Sequence, residues 1–401
     1  MVGVRGWGDG VGAETSIQHS DKWADEYVMD SDAATPTSVA RTGALAGAPI
    51  KVLHIAESYS SGVASAIDAY LDAQPEGIDA VVCGYRIPGV QLGERVELDV
   101  PFHELPLGKL AQLFAVRRAV VEHKPDVVHV HSSWAGLFGR IVPMPRGTRV
   151  VFTPHCYGFQ RLDLPKFMRL SFLIVDIVLG WRTDVVLACS LHEADISRRY
   201  RLGKRVLHLP QELPEHISAA LRQVKPASRV ERSPIVVGMT GRISPQKDPG
   251  FFAAVARGLR TTAAGRDGFV FKWIGGGPEG SADELEAAGV QVTGWMAQEA
   301  SVKELAGCDV YLHTAAWEGY PMTVIEAREL GLPIIARSIP ALVAEADGIR
   351  LVDDPAQAVR ALLDLAEDGP EEYAPSVPTS IEFRRQIMAD AYGLSPRTPG
   401  S

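Results

Sequence analysis

Cysteine is scarce in this chain. There are four in 401 residues, Cys83, Cys156, Cys189 and Cys308, and no two form a C-x-x-C pair. That spacing excludes a disulfide scaffold, a thioredoxin-type redox pair and a zinc ribbon. Cys83, Cys189 and Cys308 lie in or beside apolar, strand-like runs, where a buried reduced thiol is expected, so the chain suits a reducing, cytoplasmic compartment. Positive charge is also short: 40 Lys and Arg against 49 Asp and Glu give a formal charge of −9. That balance argues against a dedicated nucleic-acid binder while leaving room for a local basic pocket that holds phosphate. Long apolar runs are missing as well. The longest, FLIVDIVLGW at 172–181, is interrupted by Asp176 and falls well short of the roughly 20 residues that span a bilayer. No signal peptide is visible, and residues 1–49, rich in Gly, Ala, Ser, Thr and Asp, are expected to form a disordered tail. The dinucleotide fingerprint G-x-G-x-x-G is absent too.

What is present is a repeating rhythm. From residue 50, Val-rich apolar runs recur: IKVLHIAES, DAVVCGY, DVVHVHS, RVVFTPH, DVVLACS and RVLHLP, separated by helical stretches such as KLAQLFAVRRAVVEHK. Strands alternating with helices predict a parallel sheet covered on both faces. The rhythm pauses over the polar segment 214–233 and restarts with PIVVGMTGR, GFVFKWIG, VQVTGW, DVYLHTA, PIIARS and GIRLVD. The fold class is therefore α/β, with two Rossmann-like doubly wound domains at 50–213 and 234–372, a linker at 214–233, and a C-terminal helix and tail at 373–401. Two such domains face each other across a central cleft at the carboxyl ends of their strands, where α/β sheets bind ligands.

Several strand ends carry chemistry, and each also has a plain structural reading. In SYSSGVASAIDAYL a Ser-rich turn with Gly62 opens a helix, which fits either an anion site or an ordinary tight turn. GMTGRISPQKDP sets Arg242 and Lys247 just after Gly241, two cations suited to a diphosphate: Arg forks two oxygens and Lys supplies a mobile point charge. WIGGGPEG places Gly275, Gly276 and Gly277 after a strand, where a ligand can approach the backbone or the chain can simply turn. EGYPMTVIEA places Glu318 at a strand exit and Glu326 in the helix that follows, with the loop N–H groups of Gly319, Tyr320, Met322 and Thr323, around Pro321, facing the same cleft. Carboxylates accept hydrogen bonds from sugar or ribose hydroxyls, while cations and N–H groups hold phosphates. Singly, Glu318 reads as a loop acid and Glu326 as a first-turn acid favoured by the helix dipole. In the first half, His155 of TPHCYGF stands at a strand end facing the cleft. His129 and His131 share one face of a strand, and lacking a carboxylate or third His nearby in sequence they do not make a metal site. The stretch DLPKFMRLSFLIVDIVLGWR, 163–182, reads as a helix apolar nearly all round, with Lys166, Arg169 and Asp176 on one stripe. A well-buried helix is the preferred reading, and a membrane-facing or lipid-acceptor surface the alternative.

Taken in order, GRISPQKDP, WIGGGPEG and EGYPMTVIEA resemble the strand-end motifs of the retaining nucleotide-sugar glycosyltransferases of the GT-B class, in particular the group-1/family-4 enzymes of capsule and exopolysaccharide synthesis. The resemblance spans roughly residues 50 to 370. It implies that Arg242 and Lys247 bind the diphosphate, that Glu318 and the Gly319–Met322 loop contact the donor sugar, and that Glu326 binds the ribose. It also implies that the Gly275–Gly277 turn and Gly294–Trp295 border the base, that Gly62 lets the first-domain loop approach the diphosphate, and that His155 lies at the sugar. No metal or other cofactor is implied, since the two cations and helix N-termini take that place. The implied partners are a nucleotide-sugar donor and a glycan or lipid-linked acceptor, with no nucleic acid and with peripheral contact at the inner membrane face left open. Ser60–Ser61–Gly62 stands where many relatives carry two adjacent glycines, Gln211–Glu212 where they often carry Asn–Gly, and SIPALV, from Ser338, lacks a glycine pair common there. Two alternatives to an active transferase remain: a sugar-nucleotide epimerase, and a degenerate protein that binds a nucleotide sugar or a partner without transfer.

Overall fold

The computed structural model describes residues 48–86, 99–224, 234–262, 267–368 and 379–394. The expected tail over 1–49 therefore lies, save its last two residues, outside the described residues.

Seven strands form the first sheet: β1 (Ile50–Ala56), β2 (Ile78–Gly84), β3 (Phe102–Glu104), β4 (Val127–His131), β5 (Arg149–Thr153), β6 (Val185–Ala188) and β7 (Arg205–His208). Their order is β3-β2-β1-β4-β5-β6-β7. Six more form the second: β8 (Ile235–Thr240), β9 (Phe269–Ile274), β10 (Gln291–Val292), β11 (Val310–His313), β12 (Ile334–Arg337) and β13 (Ile349–Val352), in the order β10-β9-β8-β11-β12-β13. Every pairing is parallel. In both sheets the order reverses beside the first strand, between β1 and β4 and between β8 and β11, and ligands of doubly wound sheets bind at such reversals. Only β3 escapes the sequence reading, because three residues on a sheet edge show no period.

Alternation across the strands divides the first core in two. Leu53, Ile55, Val128, Val130 and Phe152 pack on one face with helices Lys109–His123 and Ser133–Ile141. Val52, Val127, Val151 and Val185 pack on the other with Met388, Ala391 and Tyr392 of helix Ile381–Tyr392. The C-terminal helix thus returns to the first sheet, where Arg149 Nε donates to the carbonyl of Ala391 at 2.6 Å. The second half buries a single larger core around Trp273, Phe252, Val310 and Leu312, each side chain adding roughly 1.5–3 kcal/mol of burial.

Two segments differ from the sequence reading. Within the polar stretch at 214–233, Glu215–Gln223 is a helix whose Ile217 and Leu221, one turn apart, seat it in the core of the second half; residues 225–233 lie outside the described residues. Helix Lys166–Leu179 is not well buried. Only Asp176 and Leu179 are enclosed, while Phe167 is 73% exposed, Leu170 56%, Ile174 51% and Val178 58%, with Trp181 just beyond at 68%. The reason is Asp176, which turns inward, off the solvent-facing stripe, to an ion pair with the buried Arg140 at 2.6 Å. That buried pair fixes which face of an all-apolar helix meets helix Ser133–Ile141. Among the described residues, no helix is long and apolar enough to cross a membrane.

Candidate functional site

The site lies in a cleft between the carboxyl ends of the two sheets, about 480 Å³ in volume. From the second half it is lined by Gly241, Arg242 and Lys247 after β8, Gly275 after β9, Trp295, and the run from Glu318 to Thr323 with Glu326 after β11. From the first half come Gly62 and His155. Gly276 and Gly277 do not reach the cleft. Gly276 packs on the backbone of Trp295 and Gly277 on Ile243 and Ser281, so of the three-glycine turn only Gly275 meets the cleft. Gly275 has φ of 135° and passes so near the carbonyl of Gly241 that a Cβ would sit 2.3 Å from its oxygen. Glycine is required there because no other residue lets the exits of β8 and β9 lie together.

Charge in the cleft is ordered. Lys247 Nζ donates to Glu318 Oε1 at 2.6 Å, and Gln246 Nε2 donates to Glu318 Oε2 at 3.0 Å, so both carboxylate oxygens are held. The hydroxyl of Thr314 donates to the Lys247 carbonyl at 2.7 Å and ties this loop to the exit of β11. Arg242 is exposed and has no ion pair among the described residues. Glu326 is 5% exposed, in the fifth position of helix Met322–Glu329. Burial pushes its carboxyl up to about 7, partly offset by a 3.4 Å hydrogen bond from Gln298 Nε2. Gln298 also donates across the cleft to the Ser65 hydroxyl at 3.2 Å.

Several lining residues were not singled out in the sequence, Thr240, Ser244, Gln246 and Gln298 among them. Thr240 and Ser244 have buried hydroxyls with no partner among the described residues, which suits a polar ligand that supplies one. Gln246 and Gln298 orient the two glutamates. Thr240, Ser244 and Gln246 fall within the GMTGRISPQKDP motif, but hydroxyls and amides there have no spacing rule to mark them. Gln298 lies in no motif.

The first-domain wall is built around a strained turn. His155 and Cys156 have φ of 49° and 81°, a left-handed pair that costs about 1–3 kcal/mol per residue. The buried carboxylate of Glu193 holds it, accepting from Cys156 N at 2.5 Å and from Cys189 N at 3.1 Å. Gly319 packs directly on this turn: a Cβ there would fall 2.5 Å from Cys156 N and 2.9 Å from Glu193 Oε1.

Behind His155 lies a histidine cluster. In the parallel register His54 of β1 pairs with His129 of β4, and the period of two puts His131 on the same face. Nitrogens of His54, His129 and His131 lie within 4.8 Å of one another, all buried. They are already engaged. His129 bonds the Thr153 hydroxyl at 2.8 Å and the Tyr392 hydroxyl at 3.1 Å, and His131 bonds both His54 and His155. The third His that the sequence did not offer nearby thus comes from β1, and a metal on the three imidazoles would have to displace these hydrogen bonds. Burial holds all four imidazoles below the usual histidine range, His54 to about 3 and His155 to about 4, so they are neutral at pH 7.

A fold of two facing Rossmann-like domains with this cleft defines the GT-B class of glycosyltransferases. Residues 69–210 match the glycosyl transferase 4-like domain and residues 234–368 match the glycosyl transferases group 1 domain, together well over half of the chain. The chain belongs to this glycosyltransferase family and is a glycosyltransferase. It is 23% identical over 313 residues, 73% of its length and 82% of the relative's, to an uncharacterized 41.2 kDa protein in the cps region of Klebsiella pneumoniae. Over 246 residues, 57% of its length and 62% of the relative's, it is 26% identical to the Escherichia coli UDP-Gal:alpha-D-GlcNAc-diphosphoundecaprenol alpha-1,3-galactosyltransferase. Its fold is similar to that of Anabaena HepE, solved with UDP and glucose: TM-score 0.64, 16% identity, covering 86% of this chain and 99% of that one.

Proposed function

We propose that the chain is a retaining glycosyltransferase that moves a hexose from a UDP- or GDP-sugar to a glycan or lipid-linked acceptor in cell-surface polysaccharide synthesis, without a metal. One observation carries this reading: Arg242, Lys247, Glu318 and Glu326 converge in one cleft, at the reversal of the second sheet, opposite His155 and Gly62. Arg242 and Lys247 bind the diphosphate and offset the charge that builds on the leaving group. Glu318 and the Gly319–Met322 loop hold hydroxyls of the donor sugar, Glu326 holds the ribose, and Gly275 and Trp295 border the base. His155 meets the sugar near the reaction centre. The relative that uses UDP-Gal and a diphosphoundecaprenol-linked acceptor supports a lipid-linked acceptor here.

The acceptor reading extends to the membrane. The exposed apolar face of helix Lys166–Leu179 sits beside helix Ser133–Ile141, which in turn packs on helix Lys109–His123 with its exposed Leu110 and Phe114. Arg117 and Arg118 are exposed on helix Lys109–His123, Arg146 past the end of helix Ser133–Ile141, and Lys166 at the start of the apolar helix, in a chain whose net charge is −9. An exposed apolar face on elements that also carry exposed cations suits an anionic lipid surface, and we assign the enzyme to the cytoplasmic side of a membrane.

A thermal-shift panel of UDP, GDP, ADP and TDP, with and without EDTA, on wild type and Lys247→Ala, tests the donor reading. Stabilisation of wild type alone by one nucleotide, indifferent to EDTA, is the expected result. No stabilisation by any would overturn the diphosphate site. The anomeric configuration of the product decides retention.

A further inference from the structure

The histidines behind the cleft form a directional chain. His155 Nε2 lies 3.1 Å from His131 Nδ1, and His131 Nε2 lies 3.1 Å from His54 Nδ1. The rings are near-parallel along the way, at 22° and 13°. Each neutral imidazole carries one proton and one lone pair, so the hydrogen bond on one nitrogen dictates the state of the other. Each N···N contact needs a single proton, and this leaves two arrangements. In one, His54 donates to His131 and His131 donates to His155 Nε2, which forces the proton of His155 onto Nδ1. In the other, all donors reverse, and His155 Nδ1 is bare.

The two arrangements differ at their ends. His54 Nε2 and His155 Nδ1 have no protein partner among the described residues. His155 lines the cleft, so a donor or an acceptor there can be satisfied by water or ligand. His54 is 1% exposed. The reversed arrangement would put an N–H at that nearly closed end, where no acceptor stands among the described residues, and buried N–H groups go unsatisfied less often than buried acceptors. The forward arrangement leaves only a lone pair. His129 does not compete for either proton, since Thr153 and Tyr392 occupy both its nitrogens.

We propose that His131, backed by His54, is a positioning residue that fixes His155 with its proton on Nδ1, so that His155 offers the cleft a hydrogen-bond donor and not a base. The donor suits an oxygen of the sugar or of the departing diphosphate, a point that rests on the reading of the cleft given above; the tautomer itself does not. The left-handed turn at His155 serves the same end, because it holds the ring against His131 while Gly319 packs over the backbone behind it.

The test is the side-chain ¹⁵N spectrum of the full chain labelled at histidine, with His155→Gln to assign the resonances. The expected result is a protonated Nδ1 and a bare Nε2 on His155 in the wild type. A bare Nδ1 overturns the proposal whatever the variants do. His131→Leu removes the donor to Nε2, and His155 should lose its fixed Nδ1 proton. His131→Asn restores an amide near the position of Nδ1 and should keep it. Unchanged His155 tautomers in a folded His131→Leu protein would overturn the role of His131. The wild type should bind UDP alone, measured by calorimetry. No UDP binding by the wild type, with the expected Nδ1 proton in its spectrum, would indict the nucleotide reading and leave this one standing.

Discussion

Lys247 and Glu318 hold each other in the cleft, Nζ to Oε1 at 2.6 Å, with their side chains only 16% and 10% exposed. The cation proposed for the diphosphate is thus neutralised by the carboxylate proposed for the sugar, and an arriving donor must exchange one partner for another. Neither group can be changed without altering the other's surroundings.

Lys247→Met should therefore do two things. Turnover should fall by about 10²–10³-fold, the usual cost of removing one charge-stabilising group. Stability without nucleotide should fall by about 1–3 kcal/mol, because Glu318 is left enclosed and short of a partner. Lys247→Met/Glu318→Gln should regain most of the stability and none of the turnover. Urea unfolding of the two singles and the double checks this, and additive losses would contradict the mutual holding.

Glu326 sets a pH dependence. Its carboxyl is raised by burial to about 7, above the unfolded value. Such a group contributes stability that is present below the unfolded pKa and lost as pH rises through the folded one. Glu326→Gln should accordingly raise Tm at pH 8 more than at pH 5, while it weakens donor binding at both. Wild-type donor affinity should fall as pH drops below about 7, as the acceptor oxygens gain a proton. Thermal scans and nucleotide titrations at pH 5, 6.5 and 8 decide it; an equal Tm change at all three would remove the pH argument.

Gly319→Ala places a methyl against Cys156 N and Glu193 Oε1. The second half should be held off the first-domain wall, with activity lost while each sheet stays folded. Far-UV circular dichroism unchanged beside a large loss of turnover is the expected pair of results. Wild-type turnover would show that this contact tolerates spreading.

Binding to vesicles tests the exposed helix. Wild type should sediment with anionic vesicles and less with neutral ones, and Phe167→Ser/Trp181→Ser should reduce that without changing UDP binding. Equal sedimentation of both proteins would place lipid contact elsewhere or nowhere.

Much of this was legible beforehand. Short apolar runs marked twelve of the thirteen described strands, since a parallel sheet buries both faces and writes itself as continuous apolar sequence. The Arg242, Lys247, Glu318 and Glu326 set was visible because strand ends are where charge has no structural reason to accumulate. Helix Lys166–Leu179 was misjudged for a physical reason. An apolar helix has no hydrophobic stripe to orient it, and its direction was decided by one buried pair, Asp176 with Arg140, whose partner lies 36 residues away. Gln298 and the His54–His131–His155 chain were invisible because they depend on register between β1 and β4 and on contacts between the two halves. No local period records either.

The return of helix Ile381–Tyr392 to the first sheet has a practical corollary. Met388, Ala391 and Tyr392 belong to the same core as Val52, Val127 and Val185, and the Tyr392 hydroxyl completes His129. The first half is therefore not a contiguous stretch of polypeptide. A gene fragment ending near residue 224 would encode a sheet with one face stripped, prone to aggregate, and removing Tyr392 would damage the histidine wall 263 residues earlier in sequence.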